Sequence, residues 1–325
     1  MKMTVLGNNG PLVSRLGFGT MQMAMRKPYN DKESIATLQA ALDAGIGFLD
    51  IADFYGMGRA EMLVGQAIKG RREQAFLSVK CGAMFSPSGA FLGVDGRPEA
   101  IKNFASYSLQ RLGVEVIDLY QPSRLDPSVP WEDTIGAVAD LIKEGKVRYL
   151  GVSEVNADHL RRAHQIHPVS ALEIEYSLAC RFIESEILPA ARELGIAVVP
   201  YRILADGLLT GNLTSASAQQ TGVFSVPRIQ GQNLEHNLQP VEVLKALAAA
   251  RGCSPAQLSV AWLLSRGEDI VPLLGMSRPS RIAENLQMLD IALTDNELET
   301  LEQVFSPDAI IGDRYPEAVM KLAAR

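Results

Sequence analysis

The chain has 325 residues, 47% of them hydrophobic and 21% charged, enough apolar content for a large core in a soluble globular unit, read as one domain over 1–325. A formal net charge of −6 excludes the domain-wide basic surface that nucleic acid or an anionic membrane requires. Cys81, Cys180 and Cys253 are too few and too scattered for a disulfide framework or a Cys-rich zinc site, and neither the start MKMTVLGNNG nor any later segment is long and apolar enough to span a bilayer, so a cytoplasmic protein is expected.

MTVL and PLV, joined by the turn-prone GNNG, read as an N-terminal β-hairpin ahead of the first strand of the main fold, placed to plug its bottom. RLGFG (15–19), GFLDI (47–51), AFLSVK (75–80), EVIDLYQ (115–121), KVRYLGVS (146–153), SALEIEY (170–176), IAVVPY (196–201) and DIVPLL (269–274) read as eight short buried strands. Between them, stretches such as DKESIATLQAALDAG, RPEAIKNFASYSLQRLG and PWEDTIGAVADLIKEG repeat apolar residues at three- and four-residue spacing and end in Gly, which predicts crossover helices. Eight such units predict a closed (β/α)8 barrel in preference to an open doubly wound sheet. Residues 202–238, rich in Ser, Gln, Asn and Gly, read as a long loop after the seventh strand, and 294–325 as a C-terminal extension.

In a barrel of this kind the C-terminal strand ends share one mouth, so unusual polar residues there read as functional. Asp50 ends the second strand, Tyr55 lies in the next loop, Lys80 ends the third strand, and Ser123 with Arg124 follows the fourth. A lysine at the end of an apolar strand needs a partner, and Asp50 is the candidate. A nearby ammonium would lower the pKa of Tyr55 and make it a useful proton donor. On the residues alone two readings stay open: an acid/base site, or an ion pair beside a packed tyrosine.

His159, His164 and His167 fall on the helix after the fifth strand or at its end, a solvated face and no metal site, while His236 falls in the long loop. Gly17, Gly19 and Thr20 form a tight strand exit, but the third glycine of GxGxxG is absent, which argues against a Rossmann turn. After the eighth strand, SRPSRIAEN opens a helix whose Arg278 and Arg281 share one face, an anion site or an exposed basic patch.

FLDIADFYG (48–56), SVKCG (78–82), IDLYQPSRLD (117–126), GVSEV (151–155), EIEYSL (173–178), ILADGLLTG (203–211) and SRPSRIAENL (277–286), in this order over nearly the whole chain, together resemble the aldo-keto reductase family. The resemblance implies a (β/α)8 barrel that binds NADPH/NADP+ without a Rossmann motif and reversibly reduces carbonyls to alcohols. It implies Tyr55 as proton donor, Lys80 as the group that lowers its pKa and Asp50 as support for the lysine. The family's fourth catalytic residue, a histidine, falls on Ser123, which donates a hydrogen bond but has no titration near neutral pH.

For the cofactor, the resemblance implies Thr20 and Met21 beside the nicotinamide ribose, and Ser153 at the carboxamide. Glu154 stands where many members have Asn, and Glu173 where Gln is usual. Tyr201 would stack on the nicotinamide. Arg202, Leu204 and Asp206 replace the usual phosphate-loop series; Arg202 would meet the pyrophosphate, and Asp206 would be unhelpful near a phosphate unless paired with Arg202. Ser277, Arg278 and Arg281 would hold the adenosine 2′-phosphate, and Glu284 and Asn285 the adenine. Met21, Met23, Phe54 and Phe85 would line an apolar pocket for an aromatic or other apolar aldehyde or ketone. Reduction of a conjugated C=C bond, alcohol oxidation on the same scaffold, and an NADPH-binding regulatory subunit with slow turnover are the alternatives. The expected partner is a small carbonyl or alcohol molecule; oligomeric state is not encoded in any motif.

Overall fold

The computed structural model describes residues 1–8, 10–218 and 226–323. Eight parallel strands carry the fold: β1 (Gly17–Gly19), β2 (Phe48–Ala52), β3 (Phe76–Cys81), β4 (Ile117–Pro122), β5 (Val147–Ser153), β6 (Val169–Glu175), β7 (Ala197–Tyr201) and β8 (Leu273–Gly275). They pair in chain order from β1 to β7, with β8 on the free side of β1. This is a (β/α)8 barrel, as the alternation of buried runs and amphipathic stretches predicts.

The crossover helices are α1 (Asp31–Asp43), α2 (Arg59–Ala67), α3 (Pro98–Leu112), α4 (Trp131–Lys143), α5 (Ala157–Ile166), α6 (Ile187–Glu193), α7 (Gly231–Ala250), α8 (Pro255–Ser265) and α9 (Ser280–Leu286). Their ends follow local chemistry. The Asn30 side chain accepts from the Glu33 N–H to start α1, Ser254 and Gln257 form a reciprocal capping box at α8, and Gly113 ends α3 at φ 67°.

Strand alternation sorts the barrel interior. Phe48, Leu119, Ala171, Ala197, Val199, Val271 and Leu273 fill its lower part, joined from below by Leu6 and Val13 of the hairpin Met3–Val5/Leu12–Ser14, which plugs the bottom as expected. Leu6 and Phe48 are fully buried, each contributing roughly 1.5–3 kcal/mol. Two positions further along the same faces stand Asp50, Ser78, Gln121 and Glu173, so the interior turns from apolar floor to polar roof as it nears the mouth.

Among the described residues β7 and the segment leading to β8 are bridged at one point. Val198 bridges Ile270, donating to Asp269 O at 2.9 Å and accepting from Val271 N at 2.8 Å, whereas β8 itself, at 273–275, pairs with β1. The eighth strand therefore sits later than the 269–274 expected. Pro200 is the physical reason: it occupies the next position on the β7 face that looks at β8, and it has no N–H to give.

Three further expectations change. Of the loop read over 202–238, residues 219–225 lie outside the described residues, and from Gly231 onward the chain is the first part of α7, so His236 is an exposed helical residue with its Nε2 3.3 Å from Ala309 O. An unforeseen hairpin, Ala83–Phe85 with Phe91–Val94, follows β3. The C-terminal extension begins as the capped helix α10 (Asp295–Val304) and then crosses back towards the mouth. Buried Asn237 on α7 anchors it, donating to Ile311 O at 2.8 Å and accepting from Ile311 N at 2.9 Å.

Candidate active site

The polar roof is built around Lys80. Its ammonium touches Asp50 Oδ1 and lies 2.9 Å from Glu173 Oε1 and 3.0 Å from Oε2, with all three side chains 3–5% exposed. Residues 50, 80 and 173 come from β2, β3 and β6, so the lysine is bracketed across the barrel's width. Gln121 of β4 completes the group, donating from Nε2 to Glu173 Oε2 at 2.6 Å and to Ser78 Oγ at 3.1 Å. Gly151 of β5 makes room for it: a Cβ there would lie 3.0 Å from Gln121 Oε1 and 3.2 Å from its Cβ. Thr20 ties down the neighbouring backbone, its hydroxyl donating to Asp50 O at 2.7 Å.

Tyr55 follows β2 in a turn closed by Tyr55 N to Ala52 O at 3.1 Å, and Lys80 Nζ is 5.4 Å from its ring centroid. Burial pushes the phenol above its ordinary pKa; Lys80 pulls it back, but Asp50 and Glu173 push it up again. The expectation that Lys80 would leave Tyr55 with a lowered pKa is therefore corrected: two carboxylates and desolvation outweigh one ammonium. Burial and Glu173 hold the Asp50 carboxyl well above its usual range, against the pull of Lys80. Burial alone would depress Lys80, yet Asp50 and Glu173 outweigh it and raise the ammonium above the ordinary lysine value.

Ser123 sits just past β4, its N–H donating to Cys81 O at 2.9 Å. Its Oγ is buried with no hydrogen-bond partner among the described residues, and the same holds for Ser153 Oγ and Gln121 Oε1. Buried polar atoms left unpaired are rare, and each of these three has capacity for a partner that the described residues do not supply. Cys81 is fully buried, and desolvation raises its thiol well above the usual value, as expected of an unreactive thiol.

One wall beside Tyr55 is aromatic. Phe54 meets Tyr55 edge-on at 5.1 Å and stacks with Phe85 at 5.8 Å, and Phe91 of the extra hairpin meets Phe85 at 5.5 Å. Met21 is 37% exposed, whereas Met23 is buried in the core cluster that also holds Tyr55. Phe91 is invisible from sequence alone because no local pattern marks its hairpin.

A second charged cluster closes the other side of the mouth. Glu154 is fully buried at φ 54°, forked by Arg314 at 3.0 and 2.7 Å and receiving the Tyr201 hydroxyl at 2.8 Å. Burial would raise its carboxyl, but Arg314 and Arg124 bring it down to about 2. Tyr201 also contacts the Tyr315 hydroxyl. Arg202 pairs with Asp206 at 3.0 Å and also donates to Arg314 O at 2.8 Å, with its guanidinium 4.6 Å from the Tyr315 ring centre. Glu175, fully buried, faces Arg228 at 2.8 Å. Leu204 is half-buried beside them. Arg202, Ala205 and Asp206 all hold positive φ, the strained backbone that functional loops concentrate. Glu175, Arg228, Arg314 and Tyr315 are the members of this cluster that sequence reasoning misses. For Glu175 a signal exists, since Glu173 and Glu175 share the inward face of one buried strand.

Past β8, Ser277, Arg278 and Arg281 are exposed at the mouth and apart from both clusters; Arg281 pairs with Glu284 at 2.6 Å, and Asn285 is half-buried. His159 and His164 are half-buried on α5, with His159 Nδ1 2.7 Å from Asn156 Oδ1. Among the described residues no group of His, Cys, Asp and Glu is arranged to hold a metal ion, and no helix is long and apolar enough to cross a membrane.

Comparison with known proteins agrees with this architecture. The model of the aldo/keto reductase family matches residues 15–305. A protein of Glycine max described as probable aldo-keto reductase 1 is 38% identical over 314 residues, covering 95% of this chain and 90% of its own. Among solved structures, the glycerol dehydrogenase of Gluconobacter oxydans superposes with a TM-score of 0.84 at 28% identity, covering 94% of this chain and 96% of its own. An aldo/keto reductase of Klebsiella pneumoniae, solved in complex with NADP and acetate, gives 0.75 at 26% identity, covering 97% and 99%. Family match, relatives and barrel coincide: the chain belongs to the aldo/keto reductase family.

Proposed function

We propose that this protein is an NADP(H)-dependent oxidoreductase that interconverts an aldehyde or ketone with its alcohol, with Tyr55 as the proton donor and acceptor. The observation that carries the reading is the buried Asp50–Lys80–Glu173 group set against Tyr55 at the mouth of the barrel. When bound, the dinucleotide supplies or accepts the hydride at the carbonyl carbon. Everything else falls to side chains. Tyr55 gives its hydroxyl proton to the carbonyl oxygen as that oxygen gains negative charge, and Ser123, whose Oγ has no other partner, donates a second hydrogen bond to it.

The chain's donor set fits the cofactor. Ser153 offers at the end of β5 a hydroxyl without a partner among the described residues, Met21 follows β1 and Tyr201 ends β7 as further candidates for the nicotinamide, and Thr20 is fixed to the Asp50 backbone. Arg202, with Leu204 and Asp206, shapes the loop after β7, and Ser277, Arg278 and Arg281 leave donors free at the mouth for a phosphate, with Glu284 and Asn285 next to them for a base. Glu154 and Glu173 are committed elsewhere, the first to Arg314 and Tyr201 and the second to Lys80 and Gln121. That the related Klebsiella pneumoniae protein was solved with NADP supports the same cofactor. The aromatic wall of Phe54, Phe85 and Phe91 favours an apolar or aromatic carbonyl compound.

The test follows NADPH absorbance with a panel of aromatic and aliphatic aldehydes and ketones, using Tyr55→Phe as the comparison. Loss of turnover by about 10²-fold or more, with dinucleotide affinity retained, is the expected result. Undiminished turnover in Tyr55→Phe would remove Tyr55 from the mechanism.

A further inference from the structure

Two carboxylates meet one ammonium at the proton-transfer site. Asp50 from β2 and Glu173 from β6 both contact Lys80 on β3, Gln121 from β4 steers Glu173 from the other side, and Thr20 at the end of β1 fixes the Asp50 backbone. The charged groups that face Tyr55 are Lys80, Asp50 and Glu173. The neutral polar atoms at the same height are those of Gln121, Ser78 and Ser153. A lysine with one carboxylate partner makes a neutral pair; with two, the group carries net negative charge, and that charge opposes a neighbouring phenolate.

The two directions of the reaction ask opposite things of Tyr55. In reduction the Tyr55 O–H bond breaks as the alcohol O–H bond forms, and the carbon gains the hydride from the reduced nicotinamide. In oxidation the alcohol proton passes to the Tyr55 phenolate while the hydride leaves to the oxidised nicotinamide. A group that keeps the proton on Tyr55 therefore favours the first.

Resting on the carbonyl-reductase reading, we propose that Glu173 is a positioning residue of the proton-transfer site: it divides Lys80 between two carboxylates, holds the proton on Tyr55, and biases the enzyme toward carbonyl reduction. The geometry carries this. Glu173 Oε1 and Oε2 lie 2.9 and 3.0 Å from Lys80 Nζ in a site with 3–5% exposure, where solvent screens little. The direction of the Tyr55 perturbation agrees, since Glu173 is among the groups that raise it. The bias matters more here than it would with a histidine at position 123, because Ser123 holds no titratable proton and Tyr55 stands as the acid of that corner.

Two measurements test it on the full-length protein. Tyrosinate absorbance, titrated in wild type and in Glu173→Gln and each corrected by its Tyr55→Phe counterpart, reads the Tyr55 proton directly and without turnover. Glu173→Gln is expected to move that titration down by about one pH unit or more, with Glu173→Asp staying near wild type. Second, the pH above which alcohol oxidation rises is expected to drop by the same amount in Glu173→Gln, so that the ratio of oxidation to reduction rates at a fixed pH rises several-fold. An unmoved tyrosinate titration overturns the proposal, whereas absence of NADPH-linked turnover in wild type defeats the functional reading and leaves the titration to decide on Glu173. Should Glu173→Gln fail to fold, Asp50→Asn decides. With Glu173 still holding Lys80 it loses less than about tenfold in kcat; a loss above a hundredfold shows that Asp50 alone positions the lysine and refutes the proposal.

Discussion

Arg314 and Glu154, 160 residues apart in sequence, meet in a two-point ion pair at 3.0 and 2.7 Å inside the barrel mouth, both less than a tenth exposed. The pair fastens the C-terminal segment to the end of β5, at the residue whose φ of 54° a β-carbon resists. Arg314→Met would strand a buried carboxylate beside Tyr201. The expected loss is about 3–5 kcal/mol in denaturant-induced unfolding, far above that of an exposed arginine.

The same pair sets an acid limit. The Glu154 carboxyl is held at about 2, below its ordinary value near 4.5, so its contribution is fully present above that ordinary value and is lost as pH falls through the folded one. Wild-type stability is expected to fall by roughly 3 kcal/mol between about pH 5 and pH 2 from this group. Glu154→Gln, already less stable at neutral pH, is expected to show a shallower fall over that window; equal slopes in pH-dependent urea melts would contradict the assignment.

Gly151 is the space into which Gln121 fits. An added Cβ would sit 3.0 Å from Gln121 Oε1, 3.2 Å from Gln121 Cβ and 3.2 Å from Leu119 Cγ, the last two close to their strand backbone and with little freedom to move. Gly151→Ala is expected to destabilise by about 1–3 kcal/mol. Because Gln121 supports Glu173, its turnover is expected to drop as well, measured as kcat on an accepted aldehyde.

The buried Ser123 hydroxyl has no hydrogen-bond partner among the described residues, and on the proposed mechanism it faces the carbonyl oxygen. Ser123→His would add a longer, titratable donor, and turnover on simple aldehydes is expected to rise several-fold, since one donor aimed at a developing oxyanion is worth on the order of 10²-fold at best. No change, or a fall, would show that the serine serves a geometry of its own.

Arg278 and Arg281 are exposed and outside the buried clusters, so their removal separates binding from folding. The double variant Arg278→Ala/Arg281→Ala is expected to weaken NADPH about tenfold or more by fluorescence titration, with NADH and the melting temperature little changed. Equal loss for both dinucleotides would assign the arginines another role.

Much of this is legible in the chain. The eight buried runs, the hairpin and the crossover helices follow from period-two and period-3.6 patterning, and Asp50, Tyr55 and Lys80 announce themselves as polar residues at strand ends. What escapes depends on contacts across the barrel. Glu173 reaches Lys80 over 93 residues, and nothing local in EIEYSL says which inward-facing neighbour it will meet. The net effect on Tyr55 takes the wrong sign when one ammonium is counted and the burial of the phenol, with the two carboxylates beside it, is not. Residues from Gly231 onward resemble a loop since their polar composition and Pro240 mask a helical pattern, and Arg314 lies in a tail with no periodicity to interpret.

The missing hydrogen bonds above Val198 leave a seam between β7 and β8. β1 through β6, which carry Asp50, Lys80, Gln121 and Glu173, are paired each to the next, so these four side chains share one wall. β7 keeps its ladder to β6 and β8 its ladder to β1, but among the described residues the two are stitched to each other only at Val198 and Ile270. The segments beyond the seam therefore answer to different neighbours, Arg202 to β6 and the C-terminal segment, Arg278 and Arg281 to β1, and a proline in β7 is what keeps them from sharing a ladder.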